Sequence, residues 1–414
     1  MNSKLLFLFI LLLPTQFGKH FFFPFSYLSG VRIDYLAPTI YLIDIIAFLL
    51  VIFNFKTIVK FFQNKKILLL LCFLTINVFF SMSPFVSVFQ CIRTLEWLSI
   101  FAVFQKTSPD FKKKVFVPLL IGGVFELFLV ILQFVNKHSV QGIFYFFGER
   151  YITLSMPGIA KASFQGTELL RPYGTFSHPN SMAGFYLLVY FFTLTNKKHL
   201  NIYLKYSLIL ISTILVFISF SKLAIFTLLL LTTVYYLFLS SRVGNKKSHK
   251  STVCKPCLLA KVFTLFVVGL IFISAQTDPL SLEKRFTLIQ NSLQIFAKHP
   301  IFGVGLGSYL VAQNQFPINY SYFFLQPVHN IFLLFLTETG IIIFSVAGWF
   351  FIKISRLFRR DVINHVSTIF ITLVILITGS FDHYWLTLQQ NYLLMAVLLG
   401  FSSSVSQFKK LKRI

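Results

Sequence analysis

Residues 329–352 read HNIFLLFLTETGIIIFSVAGWFFI. Glu338 is the one Asp, Glu, Lys or Arg in the run, and about 20 mostly apolar residues suffice for a helix to cross the hydrocarbon core of a bilayer. The stretch predicts a transmembrane helix with a histidine at its mouth and a carboxyl group inside it. Ionisable groups at such depth are costly and mark functional or paired positions. The run therefore raises a question of chemistry as well as of fold.

The rest of the chain repeats the apolar pattern. Of 414 residues, 56% are hydrophobic, 55 are phenylalanine and only 12% are charged, whereas soluble domains carry about 25% charged residues. Apolar windows lie near 4–17, 36–55, 67–83, 85–104, 115–136, 178–195, 200–219, 222–240, 260–276, 329–352, 366–380 and 386–404. The predicted class is all-α: a polytopic transmembrane helix bundle of about twelve spans. Lys4 followed by Leu5 to Leu13 has some look of a signal peptide, but Pro14-Thr15-Gln16 is no small-residue cleavage site. The segment is read as a span.

A formal charge of +25 would suggest nucleic acid in a soluble protein. Here most of the 37 lysines and arginines fall in alternate connections, at 56–66, 106–114, 197–205, 242–261 and 353–360, and in the tail 409–413. That is the positive-inside signature of cytoplasmic loops. It places both termini in the cytoplasm and removes the motive for a nucleic-acid partner. Four cysteines are too few for a disulfide framework. Cys72 and Cys91 read as packing residues, and the lone Cys254/Cys257 pair lacks the second pair a zinc site wants.

The topology divides the chain into N-terminal spans 1–136, an outer loop 137–177, central spans 178–276, a long outer loop 277–328, and C-terminal spans with a basic tail, 329–414. Loops beyond about 12–15 residues are functional or disordered, and these two are rich in aromatics and glycine. Chemistry is expected on the outer side. In the second loop Leu282, Phe286, Ile289, Leu293 and Phe296 recur at helical spacing, which predicts a helix lying in the membrane interface. Pro300 ends it. Gly303, Gly305 and Gly307 follow, either as a tight loop or as a nest of backbone N–H groups for an anion.

The outer ends of the spans collect polar residues: Arg171, His178 and Asn180 in RPYGTFSHPN, Lys222 in SFSKLAIF, Arg285 in the interfacial helix, His329, and Asp382 in GSFDHYW. Each has a bland reading. Basic residues at span ends snorkel, an aspartate caps a helix, and a histidine packs. Convergence from separate loops favours an anion site beside a proton acceptor. Intramembrane Asp44, Glu96 and Glu126 are expected to pair with neighbours such as Arg93. Glu338, nine residues beyond His329, is about 13.5 Å deeper and on the opposite helix face, so it pairs elsewhere. Cations suit a lipid diphosphate and its departing charge, and a histidine, with its reference pKa of about 6.5, suits deprotonation of a hydroxyl.

RPYGTFSHPNSMAGF, HPIFGVGLGSYL, PVHNIFLLFLTETG and GSFDHYW together resemble the O-antigen ligase and polysaccharide polymerase superfamily, most clearly over 165–395. The resemblance implies a GT-C type glycosyltransferase of the bacterial plasma membrane, free of metal and cofactor. It implies transfer of a glycan from an undecaprenyl diphosphate carrier to an acceptor hydroxyl on a glycolipid, glycan or protein, with inversion. It further implies that His329 activates the hydroxyl with Asp382, and that Arg285 contacts the diphosphate. Lys222 stands where the family has arginine; it keeps the charge and loses the bidentate fork. Arg171 is a further candidate for diphosphate binding. A polymerase of the same superfamily and a flippase for the same lipid-linked glycan are the alternatives. A flippase predicts broken helices and repeat halves, and no convincing internal repeat is present.

Overall fold

The computed structural model describes residues 3–106, 109–196, 200–244, 255–275, 281–316, 325–357 and 362–411. The described chain is mostly helical, with three short antiparallel hairpins that correct the all-α expectation. β1 (Gly18–His20) pairs with β4 (Thr39–Tyr41), and between them β2 (Tyr27–Leu28) pairs with β3 (Val31–Arg32). β5 (Lys161–Phe164) pairs with β6 (Thr167–Leu170). The last two turn at Ser29-Gly30 and Gln165-Gly166, where both residues have positive φ. That is the two-residue turn whose twist matches paired strands. Residues 18–41 thus form a third folded loop, which the apolar windows alone do not reveal.

α1 (Ser3–Leu12) precedes this loop and α2 (Leu42–Phe53) follows it. Asn54 leaves the helical region, and α3 (Phe55–Phe62) departs at 84°. α4 (Lys65–Phe79) starts on Asn64, whose side chain caps Lys66 N; α5 (Pro84–Gln105) starts on a proline, tolerated in a first turn. α6 (Pro109–Asn136) leads to the loop carrying β5 and β6. α7 (Pro179–Thr195) is the hub. Apolar all round and without a charge, it is buried along nearly its whole length, as such helices are. It packs against α8 (Ile202–Ile218), α9 (Lys222–Gly244), α14 (Val362–Gly379) and α16 (Gln389–Leu411). α10 (Lys255–Ser274) lies against α9.

Among the described residues, three helices are long and apolar enough to span a bilayer, Pro84–Gln105, Val115–Asn136 and Ile331–Trp349, with a fourth if the bent α2–α3 pair counts. Five shorter apolar helices accompany them there. Helix length by itself supports fewer spans than the twelve apolar windows. The basic connections behind the predicted orientation, and the Cys254/Cys257 pair, fall largely outside the described side chains. Cys91 packs beside Leu74, Leu306 and Ile343, whereas Cys72 is exposed rather than packed.

α11 (Ser281–Lys298) forms where the periodicity places it, ending just before Pro300. Four of the five residues of its predicted stripe, Leu282, Phe286, Ile289 and Leu293, are exposed and Phe296 is half-buried, while Leu288, Ser292 and Ile295 are buried against the protein. An apolar face left uncovered on a membrane protein suits contact with lipid.

α13 (Ile331–Leu357) is broken at Gly340, where φ is 71°. Residues 300–309, including the start of α12 (Tyr309–Gln313), lie against the break. Ile341 N donates to Pro300 O at 2.9 Å, Val304 N to Thr337 O at 3.1 Å, and Gly305 N to Glu338 O at 2.9 Å. Asn77 of α4 closes the arrangement. Its Nδ2 donates to Phe302 O and Glu338 O, and its Oδ1 accepts from Leu306 N. Irregular backbone at membrane depth is tolerated only where protein satisfies it. The backbone of Gly307 and Tyr309 faces the Glu338 carboxyl group, so a side chain of the same chain lies against the glycine loop.

Candidate active site

α7 is positioned by the loop before it. Gln133 of α6 accepts from Tyr173 N and Gly174 N and donates to Gly174 O. Glu126, also of α6, accepts from Thr175 N at 3.1 Å and from its hydroxyl. Glu126 thus pairs with this loop and not with Arg93. Asp44 and Glu96 are the acids that Arg93 takes, at 2.9 and 3.4 Å, and Gln389 donates to both. With the loop held, His178 caps α7 through Nδ1, which accepts from Asn180 N.

Asn180 then joins two groups. Its Oδ1 accepts from Arg171 Nη2 at 2.5 Å, and its Nδ2 donates to Asp382 Oδ2 at 3.0 Å. Asp382 lies in the turn between α14 and α15 (Tyr384–Thr387), where Trp385 Nε1 donates to Thr378 Oγ1. Asp382 Oδ1 also accepts from His383 N. On the facing element Asn330 caps α13, accepting from Phe332 N and Leu333 N, and donates to Ser380 O. This sets His329 beside the turn. His329 Nδ1 is 3.6 Å from Asp382 Oδ1, an ion-pair distance too long for a hydrogen bond. The rings of His329 and His383 have centroids 5.1 Å apart. From α11, Arg285 Nη1 donates to Phe381 O at 3.1 Å.

Four of the five residues singled out in the sequence, His329, Asp382, Arg285 and Arg171, therefore meet at one end of the bundle. Lys222 stands at the margin. Arg171 Nε donates to Ser219 O, so the turn before α9 reaches the cluster, but Lys222 is exposed and makes no hydrogen bond or ion pair among the described residues. Arg171 is buried and two of its N–H groups are engaged, which suits a structural member better than an open anion site.

The electrostatics follow from burial and crowding. Burial alone would raise the Asp382 carboxyl, but His329, His383 and His178 outweigh it and hold the group below the usual carboxylate range. Burial, then His329, pushes His383 down to about 3, so its ring is neutral. Burial lowers Arg171 to about 10, and it stays charged at neutral pH.

Two members of the cluster were not legible as such. His383 sits within the quoted GSFDHYW, where adjacency to Asp382 was its only signal. Tyr35, from the loop 18–41, meets the His383 ring edge-on at 5.8 Å, and nothing in the sequence connects them. A cavity of about 480 Å³ is lined by Tyr35 and Thr387, which touch His383, and by Pro327, but not by His329, His383 or Asp382 themselves. It continues past Arg93 and Gln389 toward Leu74 and Phe335, and so runs from polar to apolar surroundings.

Fold and site together define a helical membrane protein with an imidazole, a carboxylate and guanidinium groups at one end. Residues 207–347 match the family model described as O-Antigen ligase. The match supports the O-antigen ligase-like superfamily for this chain and covers Lys222, Arg285 and His329, though not Arg171 or Asp382. No curated protein matches the chain significantly.

Proposed function

We propose that the protein is a membrane glycosyltransferase of the bacterial plasma membrane. It moves a glycan from an undecaprenyl diphosphate carrier to an acceptor hydroxyl on the outer face. The observation that carries the reading is His329 Nδ1 at 3.6 Å from Asp382 Oδ1, with Arg285 bonded to the neighbouring Phe381 carbonyl. The family match over 207–347 supports the reaction class.

In this reading the acceptor oxygen attacks the anomeric carbon from the face opposite the diphosphate. The carbon–oxygen bond to the diphosphate breaks with inversion, and His329 takes the acceptor's proton. Asp382 orients the imidazole and stabilises its charged form, a role worth more inside a protein than in water. Arg285, and Lys222 from the margin, stabilise charge developing on the leaving diphosphate, so the reaction runs without a divalent ion. Arg171 acts through Asn180. The span count near twelve, with both termini cytoplasmic, belongs to the same proposal. The acceptor class, and with it ligation against polymerisation, is set by what the neighbouring cavity admits.

Broken helices favour a transporter of the same lipid-linked glycan: α13 is interrupted at Gly340, and α2 and α3 meet at 84°. The groups freed by the break in α13 are bonded within the protein by residues 300–309 and Asn77, so the break is part of the packed structure. Purified protein in liposomes, with lipid diphosphate-linked glycan, candidate acceptors and chelator, separates the readings. A new glycosidic bond, lost in H329A, supports the transferase. Glycan crossing the bilayer with no bond formed would establish the transporter instead.

A further inference from the structure

The ligand atoms of His329, Asp382 and His383 all lie within 4.8 Å of one another. Tetrahedral zinc binds imidazole nitrogen and carboxylate oxygen at about 2.0–2.2 Å, which holds its ligands about 3.3–3.6 Å apart. Side-chain adjustments of about an ångström close the set. His329 Nδ1 is buried without a hydrogen-bond partner, on the side facing Asp382. His383 is already oriented as metal-bound histidines are. Its Nδ1 is 2.7 Å from Thr387 Oγ1, and that hydroxyl's own proton is committed to His383 O. Nδ1 must then be the donor, which leaves Nε2 with its lone pair.

We propose that His329, Asp382 and His383 form an inhibitory site for a borderline transition-metal dication, with Zn²⁺ as its best fit. Two nitrogens and one carboxylate oxygen suit zinc and not magnesium or calcium, which prefer oxygen donors. Arg285 and Arg171 oppose a cation, which makes the site reversible rather than structural. The inhibitory half rests on the proposed reaction. A metal on Nδ1 fixes the proton of the neutral ring on Nε2, and His329 then has no lone pair for the acceptor's proton.

The test uses the full chain in detergent, titrated with ZnCl₂ by calorimetry and with Co²⁺ by visible absorption. One high-affinity ion per chain is expected, weakened at least tenfold in H383N and in D382N, and unchanged in H299N, which alters an exposed histidine away from the cluster. Thermal unfolding of the two site variants confirms that they fold. Equal binding by D382N, H383N and the unsubstituted protein would mean surface binding and overturn the proposal. In the liposome assay Zn²⁺ should suppress turnover and chelator restore it. Full turnover with the site loaded would overturn inhibition. Site-specific metal binding in a protein that shows no turnover under chelator would instead count against the glycosyltransferase reading alone.

Discussion

Asn180 holds Asp382 across 202 positions of the chain, Nδ2 to Oδ2 at 3.0 Å. The contact ties the first turn of the buried hub helix to the turn carrying the carboxylate. The same amide takes the Arg171 guanidinium on its other atom, so one side chain fixes both charges. Replacing Asn180 with alanine leaves two charged groups each short of a partner, a loss of about 1–3 kcal/mol in buried settings. We expect kcat to fall roughly 10- to 100-fold with KM nearly unchanged, because Asp382 is displaced while the cavity is untouched. A steady-state comparison of N180A with the parent protein checks this. A change confined to KM would count against the assignment.

His329→Ala should cost about 10²–10⁴-fold in turnover, the usual contribution of a positioned base. Arg285 separates differently. R285K keeps charge without the fork, and we expect it to retain more activity than R285A, with the loss falling on kcat. Rates measured with chelator present give both values. If H329A turns over like the parent, the base lies elsewhere.

His383 makes stability depend on pH. Its folded pKa, about 3, lies below the ordinary value near 6.5. The unfolded chain therefore takes up the proton first as pH falls. The stability it contributes is fully present above about 6.5 and is lost progressively between 6.5 and about 3, at a limiting slope of about 1.4 kcal/mol per pH unit. Its surroundings include His329 and Arg285, which act with burial, and Asp382, which opposes it; Tyr35 covers the ring edge. Asp382, with a depressed pKa, contributes stability present above the unfolded carboxylate value and lost only below it, beneath most of this window. Melting curves from pH 7 to 4 should show a shallower decline for H383N than for the parent, and parallel curves would contradict the account.

Gly340 cannot carry a side chain. A Cβ there would lie 2.2 Å from Ile301 O, a backbone atom with little freedom to move, at a φ of +71° that L residues rarely adopt. G340A should destabilise by more than about 3 kcal/mol, within the class of severe backbone and packing lesions. Asn77→Ala, which abandons two buried hydrogen bonds and one part-buried one, should come close behind. Thermal unfolding in detergent, with both variants against the parent, measures this. A G340A melting point equal to the parent's would mean that residues 300–309 do not clamp the break.

Some of this was open to reading before any coordinates. Apolar windows are local, and lipid penalises unsatisfied backbone wherever it occurs, so the helical membrane class follows from composition. The helix α11 follows from period alone, and His329, Arg285, Arg171 and Asp382 were visible as polar residues in that helix or beside apolar windows. Less visible were the hairpins of residues 18–41, whose positive-φ turns are short signals inside an aromatic stretch. Helix bounds also shifted, because α2 begins only after β4 has used the start of its apolar window.

The sequence by itself determined the solvent, the helical character of most segments and the addresses of the polar groups, since each depends on neighbours within a few turns. Tertiary structure alone decided which of those groups meet. Asn180 reaches Asp382, Tyr35 covers His383, Glu338 lies against the glycine loop and Lys222 stays apart because helix packing brings distant chain ends together, and no spacing in the chain encodes the angle at which two helices cross.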